Sequence, residues 1–177
     1  MTRVPVPSLS GPSGPFRTIT RSAEETRRLG EVLGRKVLRG GDLAVLSGGL
    51  GAGKTALAQG IGTGLEVEGP VVSPTFTLMR RYEGRISLVH VDVYRLDRFR
   101  ELDDLDLDDP PDPEAVVLIE WGDLVSPALP AQRLEIDLQV VGDEEREVSV
   151  ALLGESWRSR SDEVARALRS VADGVGA

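Results

Sequence analysis

The chain contains no cysteine and no asparagine, and only two lysines, Lys36 and Lys54, among its 177 residues. Each absence removes a class of chemistry. Without cysteine there is no disulfide framework, no thiolate zinc site and no cysteine nucleophile. No apolar run approaches the length that spans a bilayer, and the opening stretch MTRVPVPSLSGPSGPF lacks the apolar core of a secretory signal. These absences predict a cytoplasmic protein with no membrane association. A net charge of -8 and a sequence pI of 4.8 argue against broad nucleic-acid binding by this chain alone. Phosphate backbones are gripped mainly by clustered Lys and Arg, and an acidic surface repels them.

What remains is enough for a single domain with a proper core. Pro5 to Pro15 is mostly Pro, Ser and Gly, too poor in apolar side chains to pack, so residues 1–15 are expected to be a disordered leader and residues 16–177 one domain. Phe16 to Thr20 reads as a short strand. Ser22 and Glu25 match a capping box that starts a helix, with Leu29, Val32, Leu33 and Val37 at helical spacing as far as about Arg39. Leu43 to Leu46 reads as a buried strand, and Lys54 to about Leu65 as a helix weakened by Gly60, Gly62 and Gly64. Val71-Val72 is followed by Thr77 to Tyr82 and Ile86 to Val93 around a Glu-Gly-Arg turn, predicting a hairpin. Ala115 to Ile119 reads as a buried strand ending in Glu120. Leu134 to Val140 and Glu147 to Leu153 predict a second hairpin, and Val164 to Ala172 carries a helical stripe. Helices alternating with apolar strands, with hairpins between them, predict an α/β sandwich built on a mixed sheet.

Gly48-Gly-Leu-Gly-Ala-Gly-Lys54-Thr55 fits the phosphate-loop pattern G-x-x-x-x-G-K-[ST] at every fixed position and falls between a predicted strand and a predicted helix. Glycines let the backbone curl so that successive N–H groups face phosphate oxygens. The following helix turns its positive dipole end to the same anion. In that arrangement Lys54 bridges the β- and γ-phosphates, and Thr55 places its hydroxyl on Mg²⁺. Such a loop also needs an acid at a neighbouring strand end. Asp92, after Ser87 to Val91, and Glu120, after Ala115 to Ile119, both qualify, and spacing does not rank them. An N-K-x-D guanine motif is impossible without asparagine or a later lysine, so ATP is the expected nucleotide.

Four segments, GGLGAGKT, SPTFTL (Ser73 to Leu78), HVDVYRL (His90 to Leu96) and IEWGD (Ile119 to Asp123), occur in the order and spacing of the TsaE family, formerly YjeE. The resemblance covers about Phe16 to Leu153. It implies a P-loop three-layer sandwich with a mixed, partly antiparallel sheet. It further implies a slow, Mg-dependent ATPase acting with the proteins TsaB and TsaD to form threonylcarbamoyladenosine beside the tRNA anticodon, meeting tRNA only through that complex and resetting it between turnovers. Carried over onto this chain, Leu50, Gly51, Ala52, Gly53, Lys54 and Thr55 hold the triphosphate. Thr55 and Glu120 hold Mg²⁺, with Lys54, Asp92 and Glu120 as the catalytic set. Ser73, Thr75 and Thr77 lie in a switch-like segment where a hydroxyl senses the γ-phosphate, with Thr75 among the cofactor-binding candidates; Trp121 borders the pocket, and Thr18 to Thr26 approaches the adenine.

Two departures stand out. The family usually reads GDLGAGKT, with Asp where this chain has Gly49, and commonly has Gly near the position of Asp106. Elsewhere the simpler readings hold. His90 is expected to pack beside the sheet, and Asp103 to Asp109 to be a solvated face. Arg80, Arg81, Arg85, Arg95, Arg98 and Arg100 form a local basic cluster that balances the acids, contacts the partner complex, or, in a rival reading of the chain as a small-molecule kinase, clamps phosphate. A second rival is a nucleotide-dependent switch with almost no turnover.

Overall fold

The structure, a computed structural model, describes residues 15–74, 78–94 and 112–172. Most of the expected leader, together with Thr75, Thr77, the acidic segment, Asp106, Arg95, Arg98 and Arg100, lies outside the described residues. The elements are β1 (Phe16–Thr20), α1 (Ala23–Lys36), β2 (Leu43–Ser47), α2 (Lys54–Gly64), β3 (Met79–Tyr82), β4 (Leu88–Asp92), β5 (Val116–Glu120), β6 (Arg133–Val140), β7 (Arg146–Leu153), a single-turn α3 (Glu155–Arg158) and α4 (Ser161–Ala172). Two 3-10 turns, Gly122–Leu124 and Ser126–Ala128, follow β5.

The strands form one sheet in the order β1-β7-β6-β2-β5-β4-β3. Its four central strands, β6, β2, β5 and β4, run parallel to one another. β1, β7 and β3 add antiparallel edges. Both expected hairpins form, β3–β4 and β6–β7. The sheet separates two apolar clusters. One joins β-strand residues such as Leu46, Leu118 and Ile136 to α1, α2 and α4; the other joins Val45, Val91 and Ile119 to Val125 and Leu129 of the 3-10 segment. Both faces of β2 and β5 are therefore covered, which is why their sequences LAVLS and VVLIE are continuous rather than alternating.

Helix α1 begins as its sequence predicts. The Ser22 hydroxyl accepts from the Glu25 N–H at 3.0 Å, while the Glu25 carboxylate accepts from the Arg21 N–H at 2.7 Å, one residue ahead of the usual capping-box donor. The helix stops at Lys36, short of Arg39, because Leu38 turns into the core at 3 % exposure and its N–H closes back on the Leu33 carbonyl at 2.8 Å. The Val37 carbonyl is taken by the Arg160 guanidinium. Arg160 also pairs with Asp42 at 2.9 Å and stacks on Trp157, 4.2 Å from its ring centroid, which pins the start of α4 to the end of α1.

Glycines govern how α1 meets α2. Gly30 and Gly34 on one helix face Gly60 and Gly64 on the other, at matching four-residue spacing. A Cβ at Gly60 would fall 1.9 Å from the Arg27 carbonyl oxygen, and one at Gly30 would fall 2.2 Å from that of Leu57. At Gly34 and Gly64 the corresponding carbonyl oxygens, of Ile61 and Glu31, would lie at 2.4 and 2.3 Å. Backbone packs directly on backbone here. Each glycine costs a helix roughly 1 kcal/mol relative to alanine, and the close approach explains why four are kept. The sequence reading treated Gly60 and Gly64 as weak points of α2, whereas they are its docking face. Gly62 supports the same helix differently, lying under Val71, whose Cγ2 would be 2.4 Å from an added Cβ.

Gly60→Ala is expected to lose roughly 3 kcal/mol of unfolding free energy in chemical denaturation, despite the better helix propensity of alanine, because overpacking exceeds that gain. Arg160→Ala is expected to lose roughly 3 kcal/mol at neutral pH by stranding a mostly buried carboxylate. Burial outweighs Arg39 and Arg160 in raising the Asp42 pKa above its ordinary 3.8, so ionising Asp42 costs stability as pH rises through the raised value, and Arg160 limits that cost. The Arg160→Ala deficit should therefore shrink as pH falls through the raised values toward 3.8 and stay small below it, as denaturation curves at neutral pH and below 3.8 would reveal.

Candidate functional site

Strand β2 emerges from the centre of the sheet at Ser47, and the chain wraps through residues 48–53 into the first turn of α2. Gly48, Gly51 and Gly53 have φ of 134°, 74° and 106°, a region that side chains with a Cβ rarely enter. At Gly48 the constraint is also steric, since a Cβ would sit 2.4 Å from the Leu138 carbonyl oxygen of β6. Gly51 faces open space, with nothing within 4 Å of an added Cβ. Inside the loop, the Ala52 N–H donates to the Gly49 carbonyl at 3.2 Å.

Lys54 folds into this curl. Its ammonium donates to the Gly48 and Gly49 carbonyls at 2.7 and 2.9 Å and lies 3.4 Å from the centroid of the Trp121 ring. Burial lowers the Lys54 pKa below its ordinary value, opposed by Glu120, Asp123 and Asp92. Trp121 reaches this position through a left-handed backbone, φ 63°. Gly122 follows because a Cβ there would strike Val45 Cγ1 at 1.9 Å. Tyr94 tilts against the same indole, 4.6 Å between ring centroids.

The two acids left unranked by spacing are register partners on adjacent parallel strands, Asp92 of β4 opposite Glu120 of β5. Both are nearly buried, at 5 % and 2 % exposure. The Ser73 hydroxyl donates to Asp92 Oδ2 at 2.9 Å, and the Tyr94 N–H donates to Oδ1 at 2.9 Å. Glu120 Oε1 lies 2.9 Å from Nε2 of the fully buried His90. His90 Nδ1 has no partner among the described residues, so the tautomer with hydrogen on Nε2, donating to Glu120, leaves no buried donor unmet. His90 does pack in the sheet as its sequence context suggested, yet the contact with Glu120 was missed. Two strand-end residues on one face at period-two spacing, His90 and Asp92, were the available signal.

A cavity of about 570 Å³ is lined by residues 50–55, Ser73, Asp92, Tyr94, Glu120 and Trp121. Of the expected site residues it gathers Leu50, Gly51, Ala52, Gly53, Lys54, Thr55, Asp92, Glu120 and Trp121, whereas Thr75 lies outside the described residues. Leu50 lines the cavity while remaining 89 % exposed. Tyr94 is a lining residue that the sequence reading did not name. Among the described residues, no three His, Cys, Asp or Glu side chains gather into a metal cage. A threonine hydroxyl and one carboxylate nevertheless suit Mg²⁺, which takes few protein oxygens and completes its shell with phosphates and water.

A second cavity, about 510 Å³, lies behind the loop between Gly48-Gly49 and β6, with Asp123 and Asp137 on its walls. Nothing lies within 4 Å of a Cβ added to Gly49, so a side chain fits there and its absence is a loss of chemistry rather than a demand of the backbone. The basic cluster resolves differently. Arg85 donates to the Gly64 carbonyl at 3.1 Å, capping α2, and Arg81 pairs with Glu83 and Asp112 at 2.8 and 2.7 Å. Neither lines the cavity. No helix among the described residues is long and apolar enough to cross a membrane.

Comparison with known proteins agrees with this geometry. The family model described as "Threonylcarbamoyl adenosine biosynthesis protein TsaE" matches residues 20–148. A protein of Treponema pallidum named "tRNA threonylcarbamoyladenosine biosynthesis protein TsaE" is 42% identical over 136 residues, 77% of this chain and 100% of its own. Relatives of the same name from Mycobacterium leprae and Bacillus subtilis are 48% and 37% identical, over 70% and 85% of this chain and 81% and 93% of theirs. The crystal structure of Bacillus subtilis YdiB superposes with a TM-score of 0.69 at 30% identity, covering 86% of this chain and 95% of that one. With a P-loop α/β fold, a mixed sheet and a family match across most of its length, the chain belongs to the TsaE family.

Proposed function

We propose that this chain binds ATP with Mg²⁺ in the cavity above β2 and hydrolyses it slowly, in the service of threonylcarbamoyladenosine formation on tRNA. The observation that carries the reading is the glycine curl at residues 48–53, which leads into α2 and lies beside two buried acids on neighbouring strand ends. Loop amides and the α2 dipole receive the phosphates. Lys54, drawn from its carbonyl partners, neutralises charge developing at the γ-phosphate. Thr55 and Glu120 hold the cation, with His90 fixing one carboxylate oxygen and leaving the other available. When bound, Mg²⁺ draws charge from the phosphate oxygens. Asp92, oriented by Ser73 and the Tyr94 N–H, is the acid placed to position water or the cation's hydration shell. Trp121 and Tyr94 wall the cavity, and Thr75 belongs to the segment that responds to the γ-phosphate.

The family's role in tRNA modification supports TsaB and TsaD as the partners, with tRNA met through them and cytoplasm as the location. A single domain over residues 16–177 would carry the activity, with residues 1–15 outside it. Gly49 favours a second reading, a nucleotide-dependent switch with almost no turnover, because no carboxylate stands at the open position beside the loop.

Calorimetric titration with ATP and a hydrolysis assay, each with and without the TsaB–TsaD pair, test the proposal. Lys54→Ala is expected to weaken ATP binding roughly 100-fold, the scale of a lost charge-assisted contact to phosphate in a dry site. Glu120→Gln should retain binding in the absence of Mg²⁺ while turnover falls roughly 100-fold. Hydrolysis indifferent to the partners but stimulated by a small hydroxyl compound would sink the reading in favour of a kinase. Gly49→Asp should fold with an unchanged melting temperature. A turnover rise of tenfold or more in that variant would establish the switch-like character of the native chain.

A further inference from the structure

Arg146 opens β7 at the end of the sheet beside the glycine curl, paired in register with Thr20 of β1 and Val140 of β6. Among the described residues its guanidinium pairs with no carboxylate and spreads instead over backbone carbonyls. Nε donates to the Ala52 carbonyl at 3.1 Å, and Nη2 reaches that of Gly51 at 3.4 Å. Nη1 faces the Glu145 carbonyl at 3.0 Å and those of Gly142 and Asp143 at 3.4 Å each. One planar, permanently charged group thus ties the outer side of the loop to the tip of the β6–β7 hairpin.

The stereochemistry of the peptide bond gives this contact a consequence. In a trans peptide the C=O and the next residue's N–H point in opposite directions within one plane. Holding the Gly51 and Ala52 carbonyls outward therefore aims the N–H groups of Ala52 and Gly53 inward. The Ala52 N–H points across the loop at the Gly49 carbonyl, an acceptor that a phosphate oxygen would replace. Ala52 is flanked by Gly51 and Gly53, which lack the steric restraint of a Cβ, so an unclamped loop would lose this orientation readily. A lysine could not substitute, because a single ammonium lacks the rigid fork that reaches several carbonyls at once.

We infer that Arg146 is a positioning residue: it clamps the Gly51 and Ala52 carbonyls from behind so that the Ala52 and Gly53 amides are preset to receive an anionic phosphate oxygen. The inference rests on the phosphate-binding reading of the loop, and its test is split so that the two can fail separately.

Hydrogen exchange of the nucleotide-free chain tests the clamp with no ligand involved. In Arg146→Met the amides of residues 51–53 should exchange about tenfold faster, the scale of one lost hydrogen bond to a charged donor. Calorimetry with ADP should then find affinity weakened about tenfold, with Arg146→Lys falling between wild type and Arg146→Met. The same measurements on Arg17→Met, which removes an exposed β1–β7 charge pair, should match wild type. Faster exchange confined to residues 142–145 would overturn the clamp in favour of a hairpin-only role. So would wild-type values in Arg146→Lys, since charge alone would then suffice. Should Arg146→Met fail to fold, Arg146→Lys carries the test on both readouts. If wild type itself does not bind ADP, the phosphate reading fails, while loop exchange still decides whether Arg146 holds the curl.

Discussion

Direct contact between the backbones of α1 and α2 is the constraint on which the rest of this molecule depends. Side chains normally hold helices 8–10 Å apart, and glycine at four facing positions removes that spacer. The two helices become one rigid slab over the sheet, with Leu29, Leu33, Leu57 and Ile61 sealed at 0 % exposure around the glycine contacts. Because Lys54 and Thr55 lie in the first turn of α2, their placement beside the glycine loop derives from this slab. At its far end, Arg85 caps the Gly64 carbonyl and so fixes α2 against sliding along its axis.

The site itself is assembled from strand ends that are distant in sequence. Parallel register brings Leu46, Asp92 and Glu120 to one level of the sheet. No local interaction could place a lysine, two carboxylates and an indole within one small cavity. The indole depends on a left-handed residue followed by a glycine with no room for a methyl group. Strain of this kind, at roughly 1–3 kcal/mol per residue, persists where surrounding structure dictates it, and here the surrounding structure is the β2–β5 pair with Val45 beneath Gly122.

The contrast between what was legible in the chain and what was not has a physical basis. The phosphate loop shows in sequence because its φ requirements select glycine at fixed spacing over a few residues. Buried central strands show because both of their faces are apolar. The glycines of α1 and α2 do not show, since a residue that weakens a lone helix becomes favourable only when a second backbone arrives, and Gly30 and Gly60 are thirty positions apart. Asp92 and Glu120 were both recognised but could not be distinguished, because their difference lies in cross-strand neighbours: Ser73 for one, His90 for the other. The end of α1 was set too late for the same reason, since Arg160 captures the Val37 carbonyl from more than 120 residues away. Thr75 and the acidic segment lie outside the described residues and remain expectations of sequence alone.

The two tryptophans of this chain occupy opposite circumstances. Trp157 is sealed at 2 % exposure beneath Arg160, far from the loop. Trp121 stands against the Lys54 ammonium at the glycine loop. A cationic neighbour perturbs indole emission, so movement of Lys54 alters one fluorophore while the other holds its baseline. One indole thus reports on the position of Lys54, and the other, sealed in the core, supplies the constant background.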